Sequence, residues 1–335
     1  MSTEALLEVR GLRITATRPH EVDLVCDVSF EVAAGEMLAV VGESGAGKSI
    51  TARAVLGLLP AGMRVSGSVR FDGEELVGAS DAVYRKLWGH RMAFVPQDAL
   101  SVLSPVHTVG DQLALAVRSV RGVGRKAALE RAVDALDRVG IADAARRARA
   151  YPHEFSGGMR QRAVIAMATV NDPDLVVADE PTTALDPTIQ ARILDMLDTL
   201  RERAGMAVVL VTHDLAVAAA HADRVLVMYA GRHVESGPVH RVLREPRAPY
   251  TAGLLASLPP RHAESRYLPA MPGAPATTGS LPAGCAFAPR CPAAADSCTR
   301  HEPEPAEWQD GHWASCHRLA ELPRRTTDLF VGTTA

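Results

Sequence analysis

Aromatic side chains make up only 4% of the 335 residues. No apolar run approaches the ~20 residues that cross a bilayer as a helix. A helical membrane channel is therefore excluded, and any transport role needs partner chains. Neither sign of charge dominates: 36 Lys and Arg stand against 39 Asp and Glu, a net charge of −3. That balance gives no overall basic footprint for nucleic acid. The start, Met1-Ser-Thr-Glu-Ala-Leu-Leu-Glu, lacks the basic flank and apolar core of a signal peptide. A cytosolic chain, or one peripheral to a membrane, is the expectation. Cysteine is scarce too: Cys26 stands alone in an alternating, strand-like stretch, and the other four lie in the last sixth of the chain. In a cytosolic protein such a cluster points to a metal or cluster site before a disulfide framework.

The apolar and charged fractions, 47% and 22%, are those of a soluble globular protein long enough for two domains. Leu6 to Ile14 and Val25 to Val32 alternate apolar with polar residues, and Met37 to Val41 is a buried-type run ending at a glycine loop. Ser49 to Leu59 reads as a helix stopped by Pro60-Ala61-Gly62, and Ser68 to Phe71 with Asp72-Gly73 as a hairpin. Met92 to Val95 is a short strand ended by Pro96. From Thr108 to about Met167 the character is helical. Leu175 to Ala178, Ala207 to Thr212 and Val225 to Tyr229 are then apolar strands separated by helical patterns. That alternation predicts a parallel α/β sheet with a helical block inserted into it. Fourteen of the 22 prolines lie from Pro238 onward, which places a boundary near residues 256–262.

Gly42-Glu43-Ser44-Gly45-Ala46-Gly47-Lys48-Ser49 fits G-x(4)-G-K-[ST] between a strand and a helix. Its glycines let backbone N–H groups wrap phosphates. Lys48 would reach the β- and γ-phosphates, and the Ser49 hydroxyl would ligate Mg²⁺. Ile50 follows in the same helix start. Leu175-Val-Val-Ala-Asp179-Glu180 ends a strand in two acids. Asp179 is placed for the metal's shell and Glu180 for polarising a water. Ser156-Gly157-Gly158, a hundred-odd residues after the loop, opens a helix with N–H groups and a hydroxyl able to meet a phosphate from the other side. One chain cannot fold both sets around one nucleotide, so two modules must face each other.

Together these residues resemble the nucleotide-binding subunit of an ABC transporter, over roughly Leu6 to Pro259. The resemblance implies an α/β P-loop NTPase core with an N-terminal antiparallel β subdomain, an inserted helical subdomain at about 99–167 and a small cysteine-containing extension. The ATPase domain is expected at 1–257 and the extension at 258–335. It also assigns roles: Gln97 to the Q-loop that touches Mg²⁺ and water, Phe155 to Gln161 to the signature motif, Thr183-Ala184-Leu185-Asp186 to the D-loop. His213 falls at the switch histidine that contacts the γ-phosphate. The family's adenine-stacking aromatic is missing: Ala16 stands there, which leaves either stacking by Arg18 or His20 or a looser purine selectivity.

The finer resemblance is to dipeptide/oligopeptide importer ATPases, a branch that includes nickel and metallophore importers. Its phrases are Ser156-Gly-Gly-Met-Arg-Gln-Arg162, Ala178-Asp-Glu-Pro-Thr-Thr-Ala-Leu-Asp186, Val227-Met-Tyr-Ala-Gly231 and Ala248-Pro-Tyr-Thr-Ala-Gly-Leu-Leu-Ala-Ser257. Met159 resembles the first of the two ATPases such systems encode, which implies a heterodimer, with a homodimer as the alternative. Two transmembrane permeases, an extracytoplasmic solute-binding protein and a place on the cytoplasmic face of the inner membrane come with it. The tail around Cys285, Cys291, Cys298 and Cys316 resembles the segment that holds a 4Fe–4S cluster in several such ATPases. Its spacings, C-x5-C, C-x6-C and C-x17-C, lack the close pairs of zinc knuckles; zinc, free thiols and disulfides stay open. The rival readings are a soluble, non-transport ABC ATPase and a regulatory subunit without turnover. The single cassette without a heptad run argues against the first, and Glu180 with His213 against the second.

Overall fold

The computed structural model describes residues 5–183, 185–258, 269–276 and 281–330. Ala184 of the expected D-loop, and residues 259–262 of the expected boundary, lie outside them. In chain order the elements are β1 (Ala5–Ala16), β2 (Val22–Ala33), β3 (Met37–Val41), α1 (Lys48–Val55), β4 (Met63–Phe71), β5 (Glu74–Glu75) and α2 (Asp81–Leu87). Then come β6 (Met92–Val95), α3 (Val109–Arg121), α4 (Arg125–Arg138), α5 (Ala144–Arg147), α6 (Gly157–Thr169), β7 (Leu175–Asp179) and α7 (Pro187–Ala204). The remainder is β8 (Ala207–Thr212), α8 (Leu215–His221), β9 (Arg224–Tyr229), β10 (Arg232–Pro238), α9 (Val239–Arg244), α10 (Pro249–Ala256), α11 (Asp296–Arg300), β11 (Pro305–Gln309) and β12 (His312–Ser315).

The chain divides into two compact units. The first holds Gly78–Val211 with the short stretches ending at Leu6 and spanning Val32–Met37. Its strands β6, β7 and β8 lie side by side and parallel, in register from Met92↔Leu175 and Leu175↔Ala207. β7 and β8 are buried along their whole length. A strand covered on both faces has no solvent side, so its sequence runs apolar without alternation. The helical segment is α3 to α6. Its apolar stripes meet through Leu113, Val117, Ala132, Leu136, Val164 and Ile165, all buried. Thr108 fixes the start of α3 by accepting the Asp111 N–H at 3.2 Å. Asp186 does the same for α7, accepting the Ile189 N–H at 3.0 Å ahead of Pro187.

The second unit holds Leu7–Glu31, Leu38–Val77 and the chain from Thr212 onward. One sheet runs β2-β1-β4-β5, with β1 and β4 antiparallel from Leu7↔Phe71 to Ala16↔Met63. In a second set, β3 pairs parallel with β9 and β9 antiparallel with β10. The tail's hairpin, β11–β12, continues that set by antiparallel pairing of β12 with β10 at Glu235↔Ala314. Glu235 locks this junction. Fully buried, it accepts the N–H groups of Arg247 (2.6 Å) and Ala248 (3.0 Å) and meets His312 Nε2 at 2.7 Å.

α1 stops at Val55, earlier than the Leu59 expected from Pro60. Gly57 adopts φ +66° there, a conformation open mainly to glycine. The Leu58 N–H then bonds the Arg53 carbonyl (2.9 Å) and the Gly57 N–H the Ala54 carbonyl (3.0 Å). This reversed last turn ends the helix before the proline can.

Candidate nucleotide site

The glycine loop leaves β3, fully buried, and delivers α1. At Gly42 (φ +154°) an added Cβ would lie 2.2 Å from the Met228 carbonyl oxygen, so no side chain fits. Lys48 is buried, and its Nζ donates to the carbonyls of Gly42 (2.7 Å) and Glu43 (3.0 Å). The ammonium is thus fixed against its own loop. Gly47 caps α1 without a side-chain acceptor, which leaves the helix start suited to an anion. Ser44 and Gly45 are exposed, Ala46 is buried, and Ser49 and Ile50 are half-buried in the first turn.

Two residues that the motif does not contain hold this loop, and a third supports one of them. Tyr250 Oη accepts the Glu43 N–H at 2.9 Å. Arg290 forks onto the Glu43 carboxylate at 2.8 and 3.1 Å and reaches Tyr229 Oη at 3.4 Å. Tyr229 and Tyr250 fall within two of the family phrases, and Arg290 lies directly before Cys291. Partners 207 and 247 residues apart leave no local signal.

In the first unit, Asp179 ends β7 and is buried, and Glu180 follows with φ +46°. For a non-glycine residue that conformation costs of order 1–3 kcal/mol and is kept where surroundings impose it. They do so here: the Glu180 N–H bonds the Val211 carbonyl at 3.0 Å. Glu180 Oε2 accepts from Gln97 Nε2 (3.2 Å) and from Thr183 Oγ1 (2.8 Å). Gln97 and Glu180, 83 residues apart, are thus brought together, and Thr183 adds a donor beyond its family assignment.

The signature segment opens α6 as expected. Ser156 is the exposed N-cap, and its Oγ accepts the Met159 N–H at 3.3 Å. Gly157 is exposed and Gly158 half-buried. Gln161 is different: one turn further along it is buried, with no hydrogen-bond partner at Nε2. Its side chain therefore belongs to the inner face of α6, not to the edge that Ser156 presents. Asp186 is engaged as the cap of α7. His213, in the second unit, is exposed at the end of β8. Ala16 ends β1 half-buried, and Arg18 and His20 are exposed beside it.

Cys285, Cys291, Cys298 and Cys316 all line one cavity, of about 50 Å³, with Tyr229, Tyr250 and Phe287 in its wall. All four are free thiols. Burial pushes the thiol of Cys285 up to about 11 and that of Cys291 up to about 12, and it raises Cys316 as well; neighbouring cysteines add to the rise. Among the described residues, no three His, Cys, Asp or Glu stand close enough to hold one metal ion. The four cysteines of the expected metal site thus share one cavity, but among the described residues no metal-binding group is evident.

Residues 25–183 match the ABC transporter family, and residues 234–298 match the oligopeptide/dipeptide transporter C-terminal region. The chain is 50% identical over 334 residues to the oligopeptide transport ATP-binding protein OppD of Mycobacterium tuberculosis, covering 98% of this chain and 53% of that protein. It spans about half the length of that relative. A peptide import ATP-binding protein of Brucella melitensis biotype 1 is 46% identical over 96% of this chain and 99% of its own length. Among solved structures, the dimeric ATP-binding cassette MJ0796 in a post-hydrolysis state bound to ADP and Pi superposes with a TM-score of 0.63 at 26% identity, over 70% of this chain and 98% of that one. The cbiO1 protein of Clostridium perfringens, at 24% identity and a TM-score of 0.62, shares the fold. The chain belongs to the ATP-binding proteins of ABC transporters, within the branch that carries the oligopeptide/dipeptide C-terminal region.

Proposed function

We propose that the chain is the ATP-hydrolysing subunit of an ABC importer of peptides. The observation that carries this reading is the near end-to-end match with a peptide import ATP-binding protein, C-terminal region included. ATP would be gripped by Lys48 and by the N–H groups from Gly42 to Ile50, a cradle matched to phosphate charge. Mg²⁺ suits the oxygen donors Ser49, Asp179 and Gln97, because it prefers hard ligands; it would neutralise phosphate charge. Glu180 would orient the attacking water, with Gln97 and Thr183 holding its Oε2 so that the other oxygen faces the reaction. His213 would meet the γ-phosphate, and Asp186 would set the neighbouring loop. This is catalysis by positioning and charge, with no covalent intermediate.

Ser156 to Gly158 would complete the nucleotide site of a facing cassette, as the dimeric state of MJ0796 supports. The partner is read as a second, distinct ATPase, beside two permeases and a solute-binding protein. No helix among the described residues is long and apolar enough to cross a membrane, which accords with a peripheral subunit on the cytoplasmic face. Purification of the whole complex through a tag on this chain tests the reading. Two permeases, a second ATPase and a bound peptide are expected by mass spectrometry. Recovery of the chain alone or with nucleic acid would overturn it.

The thiol-lined cavity is read as the seat of a 4Fe–4S cluster. Four sulfur donors suit soft metals. The four thiols line one cavity, and their spacings lack the close pairs of zinc knuckles, which supports a cluster over tetrahedral zinc. Such a group would tie together loops with little core of their own. Anaerobic protein should contain iron and sulfide and absorb broadly in the visible blue; zinc without that absorbance would contradict the cluster.

A further inference from the structure

We infer that Arg290 is a positioning residue of the ATP site: from the C-terminal extension it clamps Glu43, and with Tyr250 it sets the conformation of the phosphate loop. Lys48 donates to the carbonyls of Gly42 and Glu43, which belong to the two peptide groups flanking the Glu43 Cα, so the setting of Glu43 bears directly on where the ammonium sits. Glu43 is in turn fixed at both ends. Its N–H goes to Tyr250 Oη at 2.9 Å, and both carboxylate oxygens meet the guanidinium of Arg290 at 2.8 and 3.1 Å.

Arg290 itself has little freedom. It is 5% exposed, its Nε donates to the Pro272 carbonyl at 3.0 Å, and it lies 5.7–5.8 Å from the ring centres of Phe287 and Tyr229. Tyr229, Tyr250 and Phe287 pack together, with centroids 4.6–5.5 Å apart. A planar fork held this way prescribes an angle as well as a distance, which a lysine cannot. Burial would lower the guanidinium's pKa, yet the hydrogen bonds to Glu43 and Tyr229 outweigh it and raise the pKa. The charge therefore persists at any working pH.

The extension thus contributes to the nucleotide site through a side chain placed between two of its cysteines, one position before Cys291. Nothing in this chain of contacts depends on what the cysteines hold.

A double-mutant cycle on the full chain tests the inference: Arg290→Gln, Glu43→Gln and both together, read by the Kd for a fluorescent ATP analogue and by the melting temperature without nucleotide. Each single change should weaken nucleotide binding about tenfold, and the double variant should be no weaker than either. Arg290→Lys should recover only part of the loss, since it restores charge without the fork. A Kd within twofold of the parent for Arg290→Gln, with only the melting temperature lowered, would show a purely structural role and overturn the inference. So would single effects that multiply in the double variant. Should Arg290→Gln fail to fold, Glu43→Gln alone decides: an unchanged Kd overturns the inference, and a tenfold rise upholds it.

Discussion

The phosphate loop and the signature helix both offer backbone N–H groups at a helix start, but they are supported in opposite ways. At the loop, Lys48, the Glu43 N–H and the Glu43 carboxylate all have protein partners, two of them from residues beyond 249. At the signature, Ser156 and Gly157 are exposed, and Ser156 Oγ accepts from its own helix. The first is a cradle built in advance. The second is an open edge that needs nothing from a partner to keep its shape. On the proposed function, a chain made this way should bind nucleotide alone and complete a neighbour's site only by docking.

The strongest test of that contrast removes chemistry while leaving both halves intact. Glu180→Gln keeps an oxygen that can accept from Gln97 and Thr183 but loses the proposed base. Phosphate release by the assembled complex should fall by about 10²–10⁴-fold, with nucleotide binding retained. Equal rates would remove Glu180 from the reaction.

Breaking the anchored half from a distance comes next. Glu235→Ala strands the buried N–H groups of Arg247 and Ala248 and the ring of His312, at a cost of about 3–5 kcal/mol. Because Ala248 leads into α10, which carries Tyr250, nucleotide affinity should fall along with denaturant stability. An unfolding midpoint equal to the parent's would contradict the lock.

His233 gives the same region a pH dependence. Burial lowers its pKa to about 4, between Ser315 and Ser236. The unfolded chain, near pH 6.5, then takes up a proton that the folded chain refuses. Its contribution is complete above about pH 6.5 and is lost as pH falls towards 4, of order 3 kcal/mol in all. His233→Gln should flatten that part of the stability profile relative to the parent. Parallel profiles for the two proteins would rule it out.

The smallest effect belongs to the open edge. Ser156→Ala should cost about 1 kcal/mol as a lost helix cap and leave nucleotide binding by the isolated chain within twofold. Hydrolysis by the paired complex should still drop. If the isolated chain lost its nucleotide, the two halves would not be separate.

Most of the strands are legible because burial on both faces leaves an apolar run, as in β3, β7 and β8, and the loop is legible in its motif, where Gly42 leaves no room for a side chain. The contacts that support the loop were not legible. Arg290 and Tyr250 reach Glu43 across more than 200 residues, and no periodicity records such a pairing. The end of α1 was misjudged because Pro60 is a louder signal than Gly57, although the glycine acts first. Gln161 was grouped with its neighbours by motif, while helical rotation turns it inward. Cysteine spacing pointed to a shared site, but the aromatic wall joining that cavity to the loop emerged only from packing.

On the proposed function, ATP hydrolysis on this chain drives peptide import. Peptide accumulation by vesicles carrying the whole complex, with ATP supplied on this chain's side, tests it directly. The account predicts uptake with the parent chain and almost none with Glu180→Gln at equal complex content. Undiminished uptake in that variant, or hydrolysis that never moves a peptide, would contradict it.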